Sequence, residues 1–346
     1  MSTVFVYTTR VRLKLNEKFY QNRFILAIFY GIIYNNVMEK FCVAVSSSAD
    51  LYLEERLNNS IFTAPIKYLD GKVFKVDSID NPAVYRRFYD KLRDGRAFKL
   101  RFPSKEDFGE FFDNLIEQGH SSIIYVATSS VLSSDYDNAK KAAMESMIKY
   151  RKSEIYVLDS LCVGPQKGVI ALKAASYRFS MNAAEAFITL KDEVASLCSF
   201  AVIYDYSFVT RSGLVSENAI RGGEQLGIKP VLTVTSTGEL TVYKKAKSEK
   251  NAIMSVIKYA EEYATDKTNF FVYSADNTRN ELFAIRMLQE KFPGCSIKTG
   301  NAGMTNGILF APNAIFIGFY APRIRPETTK KPLKIYADVD KVKEEQ

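Results

Sequence analysis

Residues 122–128 read SIIYVAT, residues 129–135 read SSVLSSD, and residues 136–151 read YDNAKKAAMESMIKYR. The first run is β-branched and aromatic, the second is polar with four serines, and the third reads as a helix. Strand, polar loop and helix in that order form the repeating step of a sheet covered by helices. The step recurs on both sides. Phe41–Ser46 (FCVAVS) reads as a first strand, with Asp50 placed to cap the next element, and Glu154–Leu158 is a strand before a helical stretch from about Lys167 to Ser180. The alternation predicts an α/β lobe with a mostly parallel, Rossmann-like sheet. In open sheets of this kind ligands sit outside the carboxyl ends of the strands, where helix N-termini present free N–H groups to anions. Thr128–Asp135 is therefore the candidate ligand loop. Its serines could equally cap the next helix and satisfy a turn, and the residues alone leave both readings open.

Working outward, Ile61–Leu69 meets Asp70-Gly71 and then KVFKV, a hairpin signal. Asn81-Pro82 reads as the cap and first residue of a helix that Gly95 closes. Ser104 stands three residues before Asp107, an N-terminal cap with an acidic partner. Phe108, Phe111, Phe112, Leu115 and Ile116 then share one helical face, a core stripe that Gly119 ends. Beyond about residue 180 the pattern changes. A long helical region precedes FAVIYDY and a Gly-rich segment, and two β runs then join at Thr237-Gly238. A helix at Ser248–Thr265, a strand at Asn269–Ser274, a helix near Arg279–Lys291 and two last strands complete the body. Mixed strand order is expected there. The resulting division is an extension at 1–37, an N-terminal α/β lobe at 38–180, a C-terminal mixed α/β lobe at 181–322 and a peripheral tail at 323–346.

At 346 residues and 47% hydrophobic, the chain can bury the cores of two domains. Its net charge of +8 resembles a nucleic-acid signature until it is located. Residues 1–37 hold five Lys/Arg against one Glu, and residues 323–346 hold seven against five acids. The body keeps a net charge near zero, so no basic binding face is expected, and no nucleic-acid partner. Cys42, Cys162, Cys198 and Cys295 are scattered singly, without metal-site or redox spacing, which implies small core residues in a reducing, cytoplasmic setting. The apolar run Phe24–Tyr34 imitates a secretory signal, but it lacks a small-x-small cleavage pattern and is too short to span a bilayer. The expectation is no stable membrane insertion, with Met38 as the true start. A membrane-surface arm is the rival reading of 1–37.

Groups able to move protons are scarce. The single histidine, His120, comes directly after the helix-ending Gly119 and reads as a solvated turn residue, at the wrong end of a strand to serve a serine. No phosphate-loop, dinucleotide or HExxH pattern occurs. Gly222-Gly223 could approach a phosphate or simply turn the chain, and Lys229 could reach an anion or lie exposed on a strand. These residues point to a protein that is not an enzyme and needs no cofactor or metal.

Six short segments, taken in order over residues 39–320, resemble motifs of the DegV family of bacterial fatty-acid-binding proteins. SSSADL at Ser46–Leu51 resembles D-S-T-A-D-L, and FPSKEDF at Phe102–Phe108 resembles the second half of T-S-Q-P-S-P-x-x-F. SSVLSSDYDNA at Ser129–Ala139 resembles S-S-x-L-S-G-T-Y-x-x-A, and VLDS at Val157–Ser160 matches V-x-D-S. LGIKPVL at Leu226–Leu232 matches L-x-I-K-P-I-L, and NAGMTNG at Asn301–Gly307 stands where H-T-G-P-G-x-x-G belongs.

The resemblance implies a long-chain fatty acid held between two lobes, its tail in an apolar tunnel and its carboxylate on hydroxyl and N–H donors. It also implies a partner, a separate fatty-acid kinase that phosphorylates the presented acid. Carried over by position, the family's carboxylate serine falls on Ser133, with Ser134 where its glycine stands, and Gly303 matches the first glycine of the last motif. Five positions depart from the pattern. Leu100 replaces a head-group threonine and cannot donate a hydrogen bond, Arg101 replaces the neighbouring serine, Asn301 replaces a histidine, Leu214 replaces an arginine, and Ser46 replaces the first aspartate of D-S-T. Arg101 either turns inward to pair with the carboxylate or points to solvent. The departures support an alternative, a divergent paralogue that works as a regulatory or interaction module. A phosphotransferase related to dihydroxyacetone kinases lacks its covalent histidine here.

Overall fold

Strand β1 (Cys42–Ser46) sends Cys42 and Ala44 to one face and Val43 and Val45 to the other, and all of its residues are buried. Such a strand needs apolar cover on both sides. In the computed structural model, which describes residues 40–205 and 227–324, β1 lies inside a sheet with β2 (Ile61–Ala64), β6 (Ser122–Ala127) and β7 (Glu154–Asp159). The order is β2-β1-β6-β7 and every pair is parallel. The N-terminal sheet is thus wholly parallel, in keeping with the alternating pattern.

The run Ile61–Leu69 is two strands rather than one. Pro65 has no N–H to continue a ladder, so the chain leaves the parallel sheet there. It resumes as β3 (Lys67–Asp70) in a small antiparallel sheet, β4-β3-β5, with β4 at Val73–Val76 and β5 at Lys99–Arg101. Gly71 turns the β3–β4 hairpin with φ of 72°. Asp50 caps no helix. It ends the 3-10 turn Ser47–Ala49 in the left-handed region (φ 53°) and is itself buried. Helix α1 (Leu53–Asn58) is started by Glu55, which accepts from the N–H of the N-cap residue Tyr52 at 3.0 Å.

The two caps read from the sequence at Asn81 and Ser104 are formed. Asn81 accepts from the Ala83 and Val84 N–H groups to start α2 (Pro82–Arg93). Ser104 Oγ accepts from the Asp107 N–H at 3.1 Å, and the Asp107 carboxylate accepts from the Ser104 N–H at 2.9 Å, to start α3 (Lys105–Glu117). Phe108, Phe112 and Leu115 of α3 join Ala139, Ala142 and Ala143 of α4 (Asp135–Lys149) against Cys42, Ala44 and Tyr125 on the outer face of the parallel sheet. Phe111 and Ile116 sit at the margin of that layer.

The second sheet runs β10 (Leu240–Ala246), β9 (Lys229–Val234), β8 (Leu197–Val202), β13 (Ile315–Tyr320), β11 (Asn269–Ser274), β12 (Ser296–Asn301). Of its pairs only β11–β12 is parallel, the mixed order expected. Helices α7 (Glu249–Tyr263) and α8 (Thr278–Lys291) cover its outer face, with Ile253, Val256 and Leu288 against Phe200, Phe270 and Ile317.

Between the two sheets lies a third apolar layer. Val43, Val45, Ile124 and Val126 of the parallel sheet and Leu232, Val234 and Phe316 of the mixed one belong to a single cluster. Helices α5 (Gln166–Tyr177), α6 (Ala183–Ser196) and the short α9 (Met304–Phe310) contribute to it. Helix α6 packs on β6 and β7 and passes into β8 with no residue between. Across this layer Tyr85 Oη donates to the Ser274 carbonyl at 3.0 Å and Tyr89 Oη donates to the Ala302 carbonyl at 2.7 Å. Gly307 makes room for the second contact, since a Cβ there would meet Tyr89 Oη at 2.7 Å.

The extension 1–37, the glycine-rich segment with Leu214, Gly222 and Gly223, and the tail beyond 324 lie outside the described residues. Among the described residues no helix is long and apolar enough to cross a membrane.

Candidate functional site

The order β2-β1-β6-β7 contains a reversal. From β1 the chain steps to β2 on one side, and it later returns to place β6 on the other. In open parallel sheets the crevice at the carboxyl ends of two such strands is where ligands bind. Here that crevice is polar and built around one cation. Ser46 ends β1, Ser48 lies in the turn after it, and Thr128 comes directly after β6. Lys167, in the first turn of α5, is 1% exposed, and its Nζ donates to Ser46 Oγ, to Ser48 Oγ at 2.7 Å and to Thr128 Oγ1 at 3.0 Å.

The neighbouring Gly168 explains how the lysine gets there. A Cβ at Gly168 would stand 2.3 Å from the Ala49 carbonyl oxygen, so only glycine lets α5 rest directly on the turn that carries Ser48. Burial pushes the Lys167 pKa down, and the charges of Asp135, Asp50 and Asp77 push it back up. Asp135 also fixes the start of the candidate loop, accepting from Tyr125 Oη at 2.8 Å and from the Thr128 N–H at 2.7 Å. Asp50 and Asp77 are both buried, and burial together with their mutual charge raises the pKa of Asp50 well above its ordinary value. The pKa of Asp77 is raised, chiefly by burial, although the carboxylate accepts from the Met304 and Thr305 N–H groups at 2.9 and 3.2 Å.

The residues singled out in the sequence are distributed around this centre. Ser133 is half-buried, and its Oγ accepts from the Asp135 N–H at 3.2 Å, while Ser134 is the N-cap residue of α4 and makes no side-chain cap bond. Between Thr128 and Ser133, Leu132 is buried in the layer between the sheets. Leu100 is buried in the same layer, opposite Tyr68 in the small sheet. Arg101 points outward, its side chain 52% exposed and 3.6 Å from Asp107, so the inward pairing with a carboxylate is not the conformation adopted. Asn301 ends β12, and its N–H donates to Tyr52 Oη at 3.2 Å. Gly303 sits where a Cβ would stand 2.5 Å from Asp50 Oδ1 and 2.9 Å from Asp77 Oδ1. The structure therefore groups Ser133 and Ser134 with Thr128 on one loop and seats Gly303 against the buried acids, leaving Arg101 at the periphery.

Sequence reasoning included Thr128 in the candidate loop and Ser48 in a family-like segment without giving either a role, and it passed over Lys167. A signal was present, a lysine beside glycine at the start of an otherwise apolar helical stretch, GVIAL. Lys229 is half-buried, and its Nζ donates to the Tyr204 carbonyl at 2.9 Å at the rim of a cavity of about 580 Å³ shared with Glu249, Asn277 and Asn280. His120 is half-buried and its ring lies 4.7 Å from that of Phe62, so it is packed rather than simply solvated. Among the described residues no group of three His, Cys, Asp or Glu could hold a metal, and all four cysteines are free thiols.

Comparison with known proteins agrees with this architecture. A DegV domain-containing protein of Clostridium perfringens is 27% identical over 274 residues, which span 78% of this chain and 94% of that protein. A Thermotoga maritima structure described as revealing a fatty acid binding function superposes with a TM-score of 0.71 at 20% identity, over 82% of this chain and 99% of that one. The Streptococcus pneumoniae Fatty Acid Kinase B3 protein, loaded with linoleic acid, superposes with a TM-score of 0.69 at 17% identity, over 81% and 99%. These structural likenesses establish the fold. The family model itself matches residues 40–321, all of the described body but its last residues, and the chain belongs to the DegV family.

Proposed function

We propose that this protein holds a long-chain fatty acid between its two lobes, its tail in the apolar layer between the sheets and its carboxylate at the crevice of β1 and β6. It performs no chemistry on the lipid. It presents the acid to a separate fatty-acid kinase, as a cytoplasmic carrier. One observation carries the reading most directly. The loop after β6 puts Leu132 into the inter-sheet apolar layer and Thr128 onto the polar cluster around Lys167, so apolar side chains and a polar end meet within five residues. Burying methylenes at about 0.8 kcal/mol each supplies the affinity for a long chain, and the polar end fixes its direction. The fatty acids held by the structural neighbours support the same reading.

The test is to purify the full chain from bacteria, denature it, extract it and identify the lipid by mass spectrometry. A saturated or unsaturated acid of long chain in near-equal amount to protein is the expected result, and extracts with no acyl chain would refute it. The rival reading, a regulatory module that no longer captures acids, is favoured by buried Leu100, which offers no hydrogen bond where the family has a threonine. It predicts such empty extracts.

A further inference from the structure

Lys167 is a buried cation that lies outside all six of the family-like segments. An ammonium has three protons to donate, and all three are taken by hydroxyl oxygens, those of Ser46, Ser48 and Thr128. A hydroxyl that accepts from an ammonium still has its own proton to give, and the adjacent positive charge makes it a stronger donor. Ser46 and Ser48 are buried, whereas Thr128 is half-buried and heads the loop that borders the inter-sheet layer. Thr128 is thus the member of the cluster able to donate outward from the cation. No carboxylate among the described ion pairs lies against Lys167. Its charge is met at longer range, by Asp135, Asp50 and Asp77 foremost and by Cys162 after them, and Asp50 and Asp77 have raised pKa values.

We infer that Lys167, acting through the hydroxyl of Thr128, is the positioning residue that makes this site select a carboxylate head group over a neutral one. The inference rests on the carrier reading above and deepens it. It also accounts for a site that keeps an anion without the family's threonine, histidine and arginine. A cation held behind a hydroxyl replaces contacts that Leu100 and Asn301 cannot make in the same way. An isolated buried ammonium would be costly, so three hydroxyl partners and a cluster of acids are what this charge requires to persist.

The experiment compares oleate with oleyl alcohol, which has the same chain and a neutral head, on delipidated full-length wild type and Lys167→Met by titration calorimetry. Wild type is expected to prefer oleate by about tenfold or more, in the range of one charge-assisted hydrogen bond. In Lys167→Met the preference for oleate over the alcohol is expected to fall by about tenfold, read as the ratio of the two affinities in the same variant. A variant that keeps the full preference for oleate would overturn the inference while leaving the carrier reading intact. Wild type that binds neither lipid would overturn both. A second measurement needs no variant. In wild type loaded with carboxyl-13C oleate, the carboxyl resonance should remain at its ionised position below about pH 5. Protonation of the bound acid above that pH, beside a lysine whose charge also interacts with Asp135, Asp50, Asp77 and Cys162, would overturn it as well.

Discussion

Asp50 shows how far one side chain can depart from its sequence reading. A short acidic residue after a strand reads as a helix cap, yet it is 2% exposed, in the left-handed region, with the Asn306 amide donating to Oδ2 at 2.6 Å. Burial first, and the charge of Asp77 second, raise its pKa well above that of a free carboxyl. A folded-state pKa raised in this way gives a stabilising contribution that is complete below the unfolded-state pKa and is lost as pH rises through the elevated folded-state value. Asp50→Asn keeps an oxygen to accept from Asn306 and has no charge to bury. Its melting temperature relative to wild type should therefore climb as pH is raised from about 5 to about 8, as tracked by circular dichroism. An equal offset at every pH would show that Asp50 does not titrate in that window.

At the level of elements, the features legible beforehand are those that local chemistry decides. The cap at Asn81, the box at Ser104 and Asp107, the hairpin at Asp70-Gly71 and the strand Asn269–Ser274 are all present in the structure. Each depends on residues within a few positions of one another. The misread features depend on partners far away. Pro65 divides one apolar run between two sheets because the pairing surfaces of Ile61–Ala64 and Lys67–Asp70 lie elsewhere in the chain. The polar cluster around Lys167 gathers residues 46, 48, 128 and 167, a spacing that no local pattern encodes. The two serines that family likeness pointed to, Ser133 and Ser134, share its loop, and the lysine at its centre belongs to none of the quoted motifs. Ser104→Ala should cost about 1 kcal/mol by removing one partner of its reciprocal cap. Urea unfolding should show this as a lower midpoint with an unchanged slope; an unchanged midpoint would mean that the cap is replaced by solvent.

For the whole molecule, the inter-sheet layer is both the shared core and the proposed home of the lipid. Ligand that binds only the folded form stabilises by mass action, about 2.7 kcal/mol at a hundredfold excess over Kd. Delipidated protein should therefore melt several degrees below protein re-loaded with oleate. Both forms should melt in one calorimetric step, because Tyr85 ties α2 to β11 and Tyr89 ties it to the residue that follows β12. Two separate transitions in the delipidated protein would show that the apolar layer does not couple the sheets. The passage from α6 to β8 matters in the same connection. With Ser196 the last residue of a helix and Leu197 the first of a strand, no loop separates them, so the joint transmits movement like a crank: tilting α6 would drag β8, in the middle of the neighbouring sheet, along with it.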